Sequence, residues 1–256
     1  GCRCYRTRFG NTSIIICFTR SKMTLHFRIF HPVKPKGRNQ TFSEKLSFWS
    51  LWIVISVGIL VMLIDKLFLI PELYYLLWLA PLGLFGNVIS MFVRIGEHEN
   101  LNGYFEGNII FKEDYMEINN QIYPYQTISN LNFLLCDYYG KPTNNYRYGP
   151  MYQNGILNYI SFTFDGEERF FNFEVDSEFL LDKVCYRLID VICLEKIKYQ
   201  RSYLDLIPND FRDYSVFKNF IIKLIEENRI ECREGLLLHG YDSDKEAKEL
   251  REKYCK

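Results

Sequence analysis

Few side chains in this chain are grouped in a way that could do chemistry. The four histidines, His26, His31, His98 and His239, include no His-x-x-x-His pair, the spacing that turns two imidazoles onto one helix face to hold a metal. Glu97-His98-Glu99 places two carboxylates around an imidazole, the makings of an acid–base or metal group, but its polar surroundings make it read as a solvated linker. Asp65 beside Lys66 would be an intramembrane functional pair if the apolar runs around it were longer; as written it reads as a turn between them. There is no Gly-x-Ser-x-Gly elbow, phosphate-cradling glycine loop or Cys-His arrangement, each of which carries its own mechanism. Of eight cysteines, Cys2, Cys4 and Cys17 precede the first methionine, and Cys136, Cys185, Cys193, Cys232 and Cys255 are scattered. They fit neither a disulfide framework nor a zinc spacing, so they are expected to be reduced thiols. No catalytic residue, metal site or cofactor is assigned, and a non-enzyme is expected.

One stretch is better suited to contact than to catalysis. Between two strand-like segments runs a 17-residue loop, Tyr139 to Gly155, with Tyr138 at its edge and Asn145 within it. Its candidate binding residues are Tyr139, Asn144, Tyr146, Arg147, Tyr148 and Tyr152, aromatic, amide and guanidinium groups that make adaptable contacts. A loop of this length is either functional or mobile, and both readings stand.

The elements that must position this loop begin with two apolar runs. Leu46 to Ile64 is 19 residues without a charge, reaching roughly 28 Å as a helix at about 1.5 Å per residue, close to a hydrocarbon core. Leu73 to Val93 is a second uncharged run of 21 residues, and Asp65, Lys66, Pro71 and Glu72 separate the two. Together they predict a transmembrane hairpin over 46–93, with Trp49, Trp52, Tyr74, Tyr75 and Trp78 near the span ends where amphipathic rings favour the interface. At Gly83 and Gly86 ordinary packing is the expectation, with a close approach of the helices as the alternative.

Charge sets a direction. Residues 1–45 carry ten Lys or Arg against the single acid Glu44, leaving 21 basic and 30 acidic residues in the rest of a chain whose formal net charge is zero. The hairpin loop offers Lys66, while Arg28, Lys34, Lys36, Arg38, Lys45 and Arg94 flank the outer ends. The positive-inside rule therefore predicts an inner (plasma) membrane protein with both termini cytoplasmic. An acidic remainder argues against a nucleic-acid partner. Residues 1–45 read as a basic flank in which Pro32, Pro35 and Gly37 discourage a long helix; translation is expected to begin at Met23, with a disordered tail before it as the alternative.

After Arg94 the pattern changes to period two, the signature of strands. Phe105, Gly107, Ile109 and Phe111 share one face; Tyr115–Ile118 and Gln121–Tyr123 follow, joined by Asn119-Asn120; Leu131, Phe133 and Leu135 mark a longer strand to about Tyr138. Asp165-Gly166 predicts a tight hairpin between Ile160-x-Phe162-x-Phe164 and Phe171-x-Phe173-x-Val175. Asp176 or Ser177 can cap a helix with the stripe Leu180, Val184, Leu188, Val191 and Ile192. The final fifty residues predict a small helical appendix over 204–256: one helix through Val216, Phe220, Ile221 and Leu224, an apolar link at Gly235–Gly240, and a charged last helix capped by Asp242 or Ser243.

Six strands followed by one amphipathic helix over 101–200, opened by Gly103-Tyr104-Phe105-Glu106-Gly107 and carrying the Phe162–Phe173 hairpin, resemble the pleckstrin-homology-like fold. With the two preceding spans, the chain resembles bacterial membrane-anchored proteins bearing such a domain. The resemblance implies an α+β membrane protein: a two-helix transmembrane hairpin, then an antiparallel β-barrel capped by a C-terminal helix, with a seventh strand still to be found near Gln126 or in the long loop. Family members that bind phosphoinositides are similar to one another in a basic first hairpin; here that turn reads Lys112-Glu113-Asp114, so such binding is not carried over. The expected function is a binding or scaffolding module held at the bilayer, with a protein, peptide or lipid surface as partner and the hairpin as a route to homo-oligomers. The alternatives are an accessory subunit of a membrane enzyme or transporter complex, and a purely structural membrane oligomer.

Overall fold

A computed structural model describes residues 24–67, 79–143, 149–241 and 243–255, the side chains of 64–67 excepted, together with the backbone of 3–9 and 12–18. Strands β1 (Arg3–Phe9) and β2 (Thr12–Phe18) pair with each other. The main body is a mixed α+β unit whose principal sheet has seven antiparallel strands.

The strand missing from the sequence count is β3 (Leu25–Pro32). Leu25, Phe27 and Ile29 are buried while His26 and Arg28 point out, the alternation a half-buried strand requires. It lies at the centre of the sheet order β6-β5-β4-β3-β11-β10-β7, where β4 is Gly103–Phe111, β5 Tyr115–Ile118, β6 Gln121–Pro124, β7 Ser129–Leu134, β10 Asn158–Phe164 and β11 Glu167–Phe173. The basic flank expected over 1–45 is corrected accordingly: within it Leu25–Pro32 is a central strand of the sheet, and the β domain does not begin at residue 101. A second small ladder, β8 (Tyr139–Pro142) with β9 (Tyr152–Asn154), occupies the ends of the expected long loop.

Two turns form as their residues dictate. Asn119 and Asn120 have φ of 51° and 66°, and Asp165 and Gly166 have φ of 50° and 81°, the left-handed pairs of two-residue hairpin turns. The expected closed barrel does not form: among the described strands no ladder joins the edges β6 and β7. The sheet curls enough that Tyr123 of β6 meets Phe162 and Phe164 of β10 edge-on, at 5.2 and 5.0 Å between ring centroids.

Helix α3 (Glu178–Cys193) starts where Ser177 Oγ accepts from the Leu180 N–H, and buries Val184, Leu188, Ile189, Val191 and Ile192. The C-terminal helices are α4 (Ser215–Glu226), α5 (Cys232–His239) and α6 (Asp244–Tyr254). They are no detached appendix: Phe217, Phe220, Ile221, Leu224 and Leu236 belong to the same apolar core as Ile109, Phe111, Ile160 and Phe173. Gly235–Gly240, expected as a link, lies mostly in α5, with Gly235 packed so closely on Ile225 and Ile230 that a larger residue would collide. A disulfide joins Cys232 to Cys255, with Cα atoms 5.6 Å apart, which corrects the expectation that all the later cysteines are reduced.

Candidate functional site

The two apolar helices leave the sheet between neighbouring strands. Pro32 of β3 is paired with Gly103 of β4, and the Val33 N–H donates to the Asn102 carbonyl at 2.9 Å. Everything from 34 to 101 is therefore an insertion at one end of a β-ladder. Gly103 sits at φ +156°, where a Cβ would strike the His31 carbonyl and the Phe30 ring, so only glycine re-enters the sheet here without displacing β3.

Helix α1 (Phe42–Leu67), and helix α2 (Leu79–Val93) together with the 3-10 turn Arg94–Gly96 that continues it, contain segments, Phe42–Leu63 and Leu79–Gly96, that are long and apolar enough to cross a membrane, and only 11% of each apolar window is buried. A core helix of that composition would be covered. They pack on each other through small residues: a Cβ on Gly83 would meet Val54 and the Ser50 carbonyl, and one on Gly86 the Ser50 hydroxyl. The helices therefore approach closely at these glycines, the alternative to the ordinary packing that the sequence favoured, in the manner of small-residue interfaces between apolar helices. The backbone of Asp65 and Lys66 continues α1, so the described helix runs past the expected boundary. Pro71, Glu72, Tyr74, Tyr75 and Trp78 lie outside the described residues.

At the base of this insertion, Glu97-His98-Glu99 forms a joint rather than a solvated linker. The Glu97 carboxylate, just past α2, accepts from the Phe42 N–H at 2.7 Å, the Ser43 N–H at 3.2 Å and the Ser43 hydroxyl, so the segment leaving α2 caps the N-terminus of α1. Thr41 and Glu44 add a capping box, with the Thr41 N–H donating to Glu44 Oε2 at 2.8 Å. Burial alone would raise the Glu97 pKa; the hydrogen bonds from Ser43, Thr41 and Phe42 outweigh it and hold the carboxyl below its ordinary value, as expected of an anion at the positive end of a helix.

His98 is the next contact. Its ring stacks on Tyr139 at 4.5 Å and 15° and leans on Tyr152 at 5.5 Å. Backbone bonds reinforce this bracket: Met151 N–H to Arg94 carbonyl, Tyr152 N–H to Glu97 carbonyl, and Glu99 N–H to Tyr152 carbonyl. On its other side the β8–β9 hairpin is tied to the sheet, with Tyr139 N–H donating to Val175 carbonyl and Val175 N–H to Gly155 carbonyl. Gly155, at φ +74°, lies where a Cβ would collide with that Val175 oxygen.

Beneath the bracket lies a polar cluster. Asn158 is fully buried; its amide oxygen accepts from the Cys136 and Asp137 N–H groups, and its NH₂ donates to the Asp137 and Gly155 carbonyls. Asp137 is 1% exposed; Oδ2 accepts from the Leu157 N–H at 3.1 Å, and Oδ1 finds no hydrogen-bond partner among the described residues. Burial raises the Asp137 pKa, and burial with the nearby Asp137 charge raises that of Glu99.

Of the sequence-expected binding residues, the structure brings Tyr139 and Tyr152 together around His98, with Tyr139 51% exposed. Asn144, Tyr146, Arg147 and Tyr148 lie outside the described residues. Sequence reasoning missed Glu97 as a cap and His98 as the centre of the bracket; the Thr41-x-x-Glu44 box before an apolar run was the signal that a helix start needing partners lay there. Among the described residues no group of three or more His, Cys, Asp or Glu side chains is arranged to hold a metal ion. Burial pushes the Cys185 thiol up to about 12 and raises Cys193 and Cys136 as well, the reverse of an activated nucleophile. No family model matches the chain, and no curated protein or solved structure matches it.

Proposed function

We propose that this protein is a bilayer-anchored binding module. Its α1–α2 hairpin sits in the inner membrane, and its sheet, of pleckstrin-homology-like descent, presents the Tyr139–His98–Tyr152 surface to a protein or peptide at the cytoplasmic face. The observation that carries the reading is the exposure of two apolar helices on a base that is rigidly capped and bracketed. An apolar surface of that extent on a soluble protein calls for a partner, and a bilayer is the partner whose thickness the Phe42–Leu63 and Leu79–Gly96 segments approach. The bracket lies at the helices' polar ends and combines an imidazole and β-hairpin backbone with an exposed tyrosine, a residue enriched where proteins recognise one another. The role is anchoring and scaffolding rather than catalysis.

The test is a photo-cross-linking amino acid placed at Tyr139 of the full chain in its native membranes, with a second at Ile122, exposed on the edge strand β6, as control. A discrete adduct at position 139 and none at 122 is expected; equal labelling at both sites contradicts a recognition surface at the bracket. One observation favours a second reading. The Cys232–Cys255 disulfide is a bond that oxidising compartments maintain and the cytosol rarely does, which would place the β domain on the outer side of the membrane. Alkylation of intact cells with a membrane-impermeant thiol reagent, before and after reduction and read by peptide mapping, separates the two: labelling of Cys232 and Cys255 that appears on reduction marks the outer side, with Cys136, a free thiol, labelled in both states.

A further inference from the structure

Between the end of β3 and the start of α1, residues 33–41 form a connection rich in cations. Lys34, Lys36 and Arg38 stand in it and Lys45 in the first turn of α1, all exposed, with Glu44 the single acid among them. None of the four cations is in an ion pair among the described residues. The carboxylates beside them are engaged by helix-start N–H groups: Glu44 Oε2 accepts from Thr41 at 2.8 Å, and Glu97 from Phe42 and Ser43. The acidic side chains outside the described residues are those of Asp65, Glu72 and Asp242. Asp65 is about 30 Å along α1 from Lys45, Glu72 comes after it in the chain, and Asp242 stands between α5 and α6. Four cations stay net positive even if one such carboxylate joins them.

The geometry sets this patch at one level of α1. Arg38 folds back along the helix until its guanidinium lies over the Phe48 ring, 5.6 Å from the centroid. Phe48 in turn meets Trp49 and Trp52 edge-on, at 5.9 and 6.1 Å between centroids, and Trp49 is 65% exposed. Aromatic rings grouped near the start of an apolar span mark the boundary between hydrocarbon and headgroups. Resting on the membrane reading above, we infer that Lys34, Lys36, Arg38 and Lys45 form a binding surface for anionic phospholipid headgroups, of the phosphatidylglycerol class, in the leaflet where α1 begins. The positive-inside rule only counts these charges; their place beside the rings makes them a surface. Cations next to a spanning helix are attracted to acidic lipid within a Debye length, about 10 Å at 0.1 M salt, and the planar donors of Arg38 suit a phosphodiester. A zwitterionic lipid offers no net charge, because its own ammonium answers its phosphate. Gly37, at φ +119° with its N–H donating to the Pro35 carbonyl at 3.1 Å, holds the connection in a bend, so its cations are presented without the ordering cost of a free tail. The rings beside the cations favour a lipid surface over an acidic protein.

The experiment reconstitutes the full chain in phosphatidylcholine vesicles with a trace of phosphatidylglycerol or phosphatidylcholine carrying a nitroxide near the end of one acyl chain. Electron paramagnetic resonance reads the fraction of label slowed at the protein surface, and from it the relative association of the two lipids. Phosphatidylglycerol is expected to associate about fivefold more strongly, the gain of one cation near an acidic headgroup. That preference should fall toward parity in 1 M salt, where the screening length is about 3 Å. The triple variant Lys34→Gln, Lys36→Gln, Arg38→Gln should abolish it. The matched variant Lys198→Gln, Lys245→Gln, Lys248→Gln, which removes three exposed cations elsewhere, should keep it. Equal association of the two lipids with the parent protein, or an equal loss of preference in both variants, overturns the inference. The same spectra keep the two readings apart: no slowed label from either lipid sinks the membrane reading itself, while slowed label without preference sinks only this surface.

Discussion

The β domain and the helical hairpin hide opposite kinds of residue. In the sheet and its covering helices the fully buried side chains are mostly apolar, Ile109, Phe111, Ile160, Phe173, Leu188 and Phe217 among them, with Asn158 a hydrogen-bonded exception. In the hairpin, the buried positions include Ser43, Ser50, Gly83 and Ser90, while Trp49, Leu51, Ile55, Leu84, Phe85 and Phe92 face outward. A water-soluble fold gains stability by removing apolar area from water. Helices in hydrocarbon gain nothing by hiding leucine from lipid and associate instead through small residues and internal hydrogen bonds. The two halves are each consistent with a different solvent, and the Glu97–His98–Tyr152 joint lies where those solvents would meet.

Substitutions can break this comparison on either side. The largest effect is expected in the core: Phe173→Ala empties a site with no exposure and should cost about 3–5 kcal/mol in chemical denaturation. Trp49→Ala, 65% exposed on α1, should leave the denaturation midpoint of the β domain unchanged. Next comes the disulfide. Replacing Cys232 and Cys255 by serine opens a loop of sequence separation 23 and should lower stability by about 3 kcal/mol, an effect that reductant should reproduce in the parent protein and not in the variant.

The joint should respond more gently and with a pH signature. Glu97→Ala removes the cap on α1 and should cost about 1 kcal/mol, read as faster amide exchange at Phe42 and Ser43. The Glu97 pKa is lowered from 4.5, so its contribution is present above that value and lost as pH falls through its depressed folded value. Asp137 and Glu99 are raised from 3.8 and 4.5, so theirs is full below those values and lost as pH rises through the folded ones. The joint should therefore be tightest in mild acid, with Glu97 ionised and the other two protonated. Asp137→Asn should flatten the alkaline limb of exchange, corrected for intrinsic rates, at Leu157. The smallest effect is expected on α6: Lys245 and Glu249 approach to 3.9 Å with both side chains largely exposed, and Lys245→Ala should leave the melting temperature unchanged.

Much of this was legible where a local rule governs. The Asn119-Asn120 and Asp165-Gly166 turns, the α3 stripe and the apolar length of both helices form as their residues predict, because turn geometry and periodicity are properties of a few neighbouring residues. β3 also carried its signal, since Leu25-His26-Phe27-Arg28-Ile29 alternates cleanly. It was overshadowed by the charges and prolines beside it, and its partners β4 and β11 are remote in sequence, beyond the inserted hairpin. The seam between β3 and β11 has only two ladder pairs, closed further by Arg28 reaching Glu174. The Cys232–Cys255 pairing follows from how α5 and α6 pack, which spacing does not encode. The bracket depends on His98 meeting Tyr139 and Tyr152 from more than 40 residues away, so no local window contains it. Tyr139 and Tyr152 were singled out for their type, and only the fold gives them a common neighbour.

The central claim is that the hairpin and the β domain occupy different solvents, and the tryptophans test it directly. The chain's three tryptophans are Trp49, Trp52 and Trp78, all in the predicted spans, so native fluorescence reports on the hairpin alone. In reconstituted vesicles the emission should be quenched by lipids brominated on their acyl chains and shielded from aqueous iodide. Quenching by iodide that is unchanged by vesicles, with no effect of brominated chains, would contradict the account.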